Sequence, residues 1–209
     1  HKINIAATKP AAAWIEEGEA LSFGDATFEQ KILDAHKLHV AIKITEELLY
    51  DNAFGLENYI ITEFGKALAN AEEDAFLNGD GVGKPTGIFD KTKGGESIGT
   101  LTAALKSDDI LDLIYKLKRP YRKNASFIMN DATLAQIRKL KDNNGQYLWQ
   151  PSYQANEPDK ILGYNIRTSA FAPTDAIAFG DYKYYNIGDR GSRSFKQLTE
   201  LFAGNGMIG

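Results

Sequence analysis

From Asp51 to Leu77 apolar residues recur at three- and four-residue steps: Leu56, Tyr59, Ile60, Phe64, Ala67, Leu68, Ala71, Ala75 and Phe76. That period predicts one amphipathic helix. At about 1.5 Å per residue its ~25 residues make a rod of roughly 37 Å, twice the usual length. Asp51 or Asn52 can cap the start, and Asn78-Gly79 supplies a common stop. An element of this length is a scaffold.

Ahead of the helix the period changes to two. Leu38, Val40, Ile42 and Ile44 alternate with Lys37, His39, Ala41 and Lys43, the pattern of a strand with one buried face. Ala11 to Ile15 reads as an extended arm, and Gly18, Ser22, Gly24 and Asp25 between them read as turn residues. The two arms predict a long hairpin, Ala11 to Lys43, with a polar tip. A two-stranded ribbon is marginal alone in water, so it needs a surface to lie on.

Beyond the long helix a second is predicted from Ser107 to Arg119, with Ser107 as cap and Ile110, Ile114 and Leu117 as its inner stripe. Asp108 and Asp109 sit at its positive end and Lys116, Lys118 and Arg119 at its negative end, and Pro120 prevents continuation. A strand, Ser126 to Met129, then leads through Asn130-Asp131 into a third helix. Leu134, Ile137 and Leu140 face inward there, and Asn143-Asn144-Gly145 closes it. Tyr164 to Thr168, Ala176 to Phe179, Tyr182 to Ile187 and Phe195 to Phe202 read as strands. Helices and strands mix without a regular βαβ repeat, so the fold class is α+β.

The stretch AFLNGDGVGKPTGIF, Ala75 to Phe89, invites a phosphate-binding reading. A P-loop needs four residues between its first glycine and Gly-Lys-Ser/Thr, a strand before it and a helix after it. Here three residues separate Gly79 from Gly83-Lys84, Pro85 replaces the hydroxyl, and a helix precedes the segment. A calcium loop counted from Asn78 places Asp80 and Gly83 correctly, but Val82 and Phe89 occupy ligand positions. Asn78, Gly79, Asp80, Gly81, Gly83, Pro85 and Gly87 are better explained as a hinge where the long helix stops and turns.

Other candidates have plain explanations. His36 and His39, three apart in a strand, point to opposite faces and cannot share a metal. Glu46-Glu47 and Glu72-Glu73-Asp74 diverge around a helix axis, as solvated faces or intersubunit charge partners. Lys116, Lys118, Arg119, Arg122 and Lys123 match a helix C-terminal dipole, or could touch an acidic partner. No nucleophile elbow supports Ser/His/Asp catalysis. The net charge of -4 gives no sign of a nucleic-acid binder, and the absence of cysteine removes disulfides and thiolate chemistry. No apolar run reaches membrane-spanning length. Neither a cofactor nor a metal, and no catalytic residue, is expected.

Several segments together resemble one family, the major capsid proteins of tailed bacteriophages with the Hong Kong 97-type fold. The strongest is ITEELLYDNAFGLENYIITEFGKALANAEEDAFLNGDGVGKPTGIF, Ile44 to Phe89, similar to the family's spine helix and its glycine-rich exit. LKDNNGQYLW, ILGYNI and AFGDYKYYNIGDR follow in the family's order and spacing.

The resemblance implies a part for each element. Residues 1–45 would be an N-terminal arm and extended β-hairpin loop reaching over a neighbouring subunit, with Glu17, Gly18, Ser22, Gly24, Asp25 and Lys31 in that loop. Residues 46–98 with 188–209 would be a peripheral domain holding the spine helix, its C-terminal strand cut short at Gly209. Residues 99–187 would be a mixed α/β axial domain. The implied function is an icosahedral shell subunit, forming hexamers and pentamers that enclose double-stranded DNA without sequence-specific contact. Implied partners are further copies of the chain, a prohead protease, a portal and a scaffolding segment, with no membrane. The location would be the virion capsid, assembled in the bacterial host cytoplasm. A chain that opens on His1 fits either a cleavage product or a trimmed precursor.

Some members cross-link a loop lysine to an asparagine with a glutamate as base. Lys31 and Asn205 are the matching candidates, and the glutamate would lie beyond Gly209. Two alternatives stand beside the capsid: an encapsulin-like nanocompartment shell, and a nucleotide-binding enzyme using Gly79 to Lys84.

Overall fold

A computed structural model of the chain describes residues 2–6, 14, 27–45, 47–48, 55–100, 104–142, 144–148 and 160–208. They fall into two compact units, His1–Ala35 with Gly188–Gly191, and His36–Ile187 with Ser192–Gly209.

The first unit carries a ribbon. β1 (Lys2–Ala6) pairs antiparallel with β2 (Phe28–Ile32), Lys2 opposite Ile32 and Ala6 opposite Phe28. Lys31 lies in β2 opposite Ile3. The hairpin is therefore built from other arms than the alternation predicts. Residues 33–43 form no strand, and Leu38 and Ile42 are exposed. A period of two yields a strand only where an edge accepts its hydrogen bonds, and within the described residues none is offered here. Of the expected outgoing arm only Trp14 is described, and it is exposed. Glu17, Gly18, Ser22, Gly24 and Asp25 lie outside the described residues.

In the second unit β3 (Ile44–Thr45) precedes α1 (Leu56–Asn78). Asp51 and Asn52, the expected caps, lie outside the described residues; Gly55, left-handed at φ 68°, is the residue before the helix. Its own unit covers part of the predicted stripe. Ile60 and Leu77 are buried and Leu56, Phe64, Leu68, Ala75 and Phe76 half-buried, whereas Tyr59, Ala67 and Ala71 stay exposed.

α2 (Ser107–Lys116) begins at the residue expected to cap it, so its cap falls one residue earlier than predicted. Lys106 is the cap position, and its backbone N–H donates to Asp109 Oδ2 at 2.8 Å. The helix ends three residues before the expected Arg119, and Pro120 opens a separate short turn, α3 (Arg119–Arg122). A missing N–H costs nothing in a first turn, so proline starts helices more readily than it merely ends them.

β4 (Ser126–Met129) leads through Asn130, whose side chain accepts from Ala132 N–H at 2.9 Å, into α4 (Asp131–Arg138). β5 (Lys160–Ile161), β6 (Tyr164–Thr168) and β7 (Ile177–Gly180) complete a sheet of order β5-β6-β4-β7. β4 and β6 run parallel around α4, and the other pairs are antiparallel. One βαβ crossover thus sits inside an α+β sheet.

The core lies on this sheet. Phe127 and Met129, alternate residues of the central strand, are wholly buried against Ile110 and Ile114 of α2, Leu134 and Ile137 of α4, and Ile161. Phe127 lies 4.5 Å from the Phe179 ring, and Tyr164 meets Phe179 edge-on at 5.0 Å. Such pairs add to their burial because ring edges and faces carry opposite partial charge.

Two expected strands are absent. Tyr182–Tyr184 is a 3₁₀ turn, because the Asp181 side chain accepts from Lys183 N–H and bends the backbone. Residues 195–202 form no strand either: Phe195 rests on Phe64 at 6.2 Å, and Lys43 Nζ lies 4.4 Å from the Phe202 ring centroid. Their apolar side chains meet other side chains rather than a sheet edge. The strand that does form there is β8 (Met207–Ile208), antiparallel to β3 and ending with Ile208 buried.

Tyr182 buries its hydroxyl with no hydrogen-bond partner among the described residues, and burial pushes its phenol pKa upward. The unfolded phenol ionises near pH ~10 and the folded one higher, so stability is intact below that pH and declines as it rises further. Tyr182→Phe is therefore expected to be neutral to about 1 kcal/mol stabilising at neutral pH, and to raise the alkaline unfolding midpoint. Thermal scans at neutral and alkaline pH check this; an unmoved alkaline midpoint would assign the lost stability to other groups.

Candidate functional site

The glycine-rich exit is built around the carbonyls that end α1. Gly79 N–H returns to Ala75 O at 2.9 Å, then the chain loops out and comes back. Ile88 N–H donates to Phe76 O at 2.9 Å and Phe89 N–H to Leu77 O at 2.8 Å. The last helical carbonyls, which have no partner within a helix, are thus satisfied by the returning segment. Gly87 N–H donates to Gly79 O at 2.7 Å, and Asp80 and Thr86 form a bridge.

Two different constraints act on these glycines. Gly79 is not left-handed (φ −63°, ψ 140°); a Cβ there would meet the Pro85 carbonyl oxygen and lie 2.5 Å from Ala75 O. A Cβ at Gly87 would lie 2.5 Å from Gly79 N. Gly81 and Gly83 take positive φ, 75° and 69°, at the turn itself. Asp80 braces that turn: its carboxylate accepts from Val82 N–H at 3.0 Å, which with nearby Lys84 holds it below the usual carboxylate range. Pro85 supplies the carbonyl that crowds Gly79. Tyr185, which the sequence did not single out, donates its hydroxyl to Thr86 O at 2.8 Å.

This is not phosphate-binding geometry. The segment leaves a helix C-terminus and continues into residues 87–100, which hold turns and no helix, so no helix N-terminus faces an anion.

The acidic run on α1 is consumed inside the chain, Glu72 and Glu73 by separate segments and Asp74 by the last residue of α1 itself. Glu72 takes Arg193 at 2.8 and 3.0 Å, Glu73 accepts from Ser169 Oγ at 2.6 Å, and Asp74 accepts from Asn78 Nδ2 at 2.9 Å. Asn78 also donates to Phe171 O at 2.7 Å. Divergence around the helix axis lets neighbouring acids hold separate segments. Asn130 completes the joint, donating to Ala172 O at 2.9 Å, while Thr133 Oγ1 donates to Thr174 O at 2.8 Å. Loop 169–174 therefore ties α1 to α4. No sequence period marks these residues, since most of their partners are distant along the chain and several are backbone carbonyls.

The remaining candidates are dispersed. His36 and His39 are exposed on the stretch 33–43, which forms no strand. Asn205 is exposed in the turn Ala203–Asn205, its N–H donating to Phe202 O at 2.9 Å. Among the described residues no acid–histidine group is arranged to hold a metal, and no helix is long and apolar enough to cross a membrane.

Comparison with known proteins agrees with a structural role. The model of the phage capsid family matches residues 2–209. The capsid of the native GTA particle, computed with C5 symmetry, is 34% identical, with 87% of this chain and 68% of that chain covered and a TM-score of 0.76. The capsid of the empty GTA particle gives 33%, 87%, 67% and 0.74. A structure from Mycobacterium phage Cain, at 15% identity, covers 100% of this chain and 74% of that one with a TM-score of 0.65, which speaks for the fold. No curated protein matches the chain. A sheet core clasped to a long helix, a ribbon of its own, and a family match from end to end leave one conclusion: the chain belongs to the phage capsid family, has the Hong Kong 97-type capsid fold, and is a structural protein rather than an enzyme.

Proposed function

We propose that the chain is the subunit of an icosahedral shell, assembling as hexamers and pentamers around double-stranded DNA. The observation that carries this reading is the 34% identity, over 87% of the chain, to the capsid of a GTA particle. The ribbon supports it. Phe28 and Ile32 lie on one face of β2 and are 70% and 66% exposed, which suits a strand pair that another copy covers. Residues 1–45 would form the arm and extended loop, residues 46–98 with 188–209 the peripheral domain, and residues 99–187 the axial domain. Asn78 to Gly87 then serves as a fixed corner between spine and axial parts. A prohead protease, a portal and a scaffolding segment are the partners such assembly in a host cytoplasm calls for, and Lys31 and Asn205 are the positions to examine for a cross-link.

Negative-stain microscopy of purified protein under assembly conditions should show capsomers or shells, and a strictly monomeric species throughout would sink the reading. DNA inside those shells separates a virion capsid from a protein-filled nanocompartment. Deleting Gly18 to Thr27 is expected to leave the melting temperature of the subunit almost unchanged and to abolish shell formation. Global unfolding of the deletion would instead place that tip in the core.

A further inference from the structure

The corner where α2 meets α3 carries more positive charge than its helix end can use. Arg122 alone serves the α2 carbonyls: its Nε donates to Leu117 O at 2.6 Å and its Nη2 to Tyr115 O at 3.0 Å. Its guanidinium also lies 4.9 Å from the Tyr115 ring centroid. With that end satisfied, Lys116, Lys118, Arg119 and Lys123 are exposed and form no ion pair among the described residues. Matching a helix dipole takes about half a charge, so the surplus needs another reason.

Uncovered aromatic rings lie among these cations. Tyr115 is 67% exposed. Tyr184, 59% exposed, meets Tyr121 of α3 edge-on at 5.3 Å, with Lys183 Nζ 5.0 Å from its ring centroid. Exposed cations and exposed tyrosines gathered at α2, α3 and the turn that packs on Tyr121 suit a polyanion with regularly spaced phosphates. In a second copy the acidic run Glu72-Glu73-Asp74 is already held by Arg193, Ser169 and Asn78, and Asp109 by the Lys106 N–H, so that run is not the partner of these cations.

We propose that this corner contacts the phosphodiester backbone of double-stranded DNA, independent of sequence. The inference rests on the reading of the chain as a shell around DNA, and it assigns that contact to a place. Four cations without an ion pair among the described residues, on a chain of net charge −4, form a local attractive surface that the overall charge conceals.

The test uses the whole chain and a fluorescein-labelled mixed-sequence DNA duplex, with binding followed by anisotropy from ~50 to ~200 mM salt. The variant carries Lys116→Gln, Lys118→Gln and Lys123→Gln. The control, of equal net charge, carries Lys91→Gln, Lys139→Gln and Lys160→Gln, all exposed positions. Each lost phosphate contact removes ~0.9 from the salt slope, so the variant's slope is expected to be shallower by nearly ~3. Its affinity at low salt should fall on the order of a hundredfold while the control keeps both. Equal losses in variant and control would overturn the proposal, as would absence of DNA binding by the parent chain. So would a variant that binds DNA normally but no longer self-associates in sedimentation, which would make the corner a contact between copies. Microscopy of the same samples separates the two readings. Particles from a chain that ignores DNA refute this site alone, whereas corner-dependent DNA binding without particles supports the site and refutes the shell.

Discussion

Phe127→Ala is expected to lower stability by about 4 kcal/mol, since removing a fully buried ring loses its transfer energy and leaves a cavity. In a chain of this size that is roughly 8–16 °C in melting temperature, read by calorimetry or circular dichroism. The site cannot collapse around the gap. Phe127 is wholly buried on the central strand, faced by Phe179 at 4.5 Å and by helices from both sides of the sequence, Ile110 and Ile114 before it and Leu134 and Ile137 after it. Phe28→Ala is the contrast. At an exposed position it should move the melting temperature of the isolated chain by no more than about 0.5 kcal/mol would, while weakening assembly. Equal destabilisation by the two would mean that the ribbon is part of the subunit's own core.

Gly79→Ala is expected to cost about 3 kcal/mol or more, for a reason that conformational preference does not predict. The backbone at Gly79 suits any residue (φ −63°, ψ 140°), so the usual penalty for a left-handed glycine does not apply. What forbids a side chain is backbone on two sides, the Pro85 carbonyl oxygen and Ala75 O. Neither can rotate away as a flexible side chain would, so the clasp between Gly79 O and Gly87 N–H opens and the ends of α1 lose their partners. Gly83→Ala gives the opposite combination, positive φ (69°) with open space around the new methyl, and is expected to cost only about 1–2 kcal/mol. Thermal unfolding of the two variants decides between crowding and conformation. If Gly83→Ala were the more damaging, the glycines would be there for the turn alone.

The elements most legible in the sequence are those whose side chains meet the core of their own unit. β4 and β6 appear at their expected residues, and the inward stripe Leu134 and Ile137 is buried as the period requires. Failures share a cause. The alternation Leu38 to Ile42 and the apolar run Phe195 to Phe202 have the composition of strands but no edge within the described residues to pair with. The exposed Tyr59, Ala67 and Ala71 on α1 show the same thing on a helix: periodicity reports a face that prefers cover, without saying which chain supplies it. In the proposed shell, a neighbouring copy is the expected cover.

By itself the sequence determined the long helix, its stop at Asn78-Gly79, the sheet strands that hold Phe127 and Met129, and the likeness to capsid proteins, because each depends on local period or on residue order. Tertiary structure alone decided what joins these parts. Glu73 to Ser169, Asn78 to Phe171, Asn130 to Ala172 and Tyr185 to Thr86 are hydrogen bonds between groups far apart in sequence, three of the four to backbone carbonyls common to every residue. A carbonyl carries no sequence signature, so only the folded chain can show which one a side chain finds. The same is true of the space denied to Gly79, which exists only once Pro85 has returned across the end of the helix.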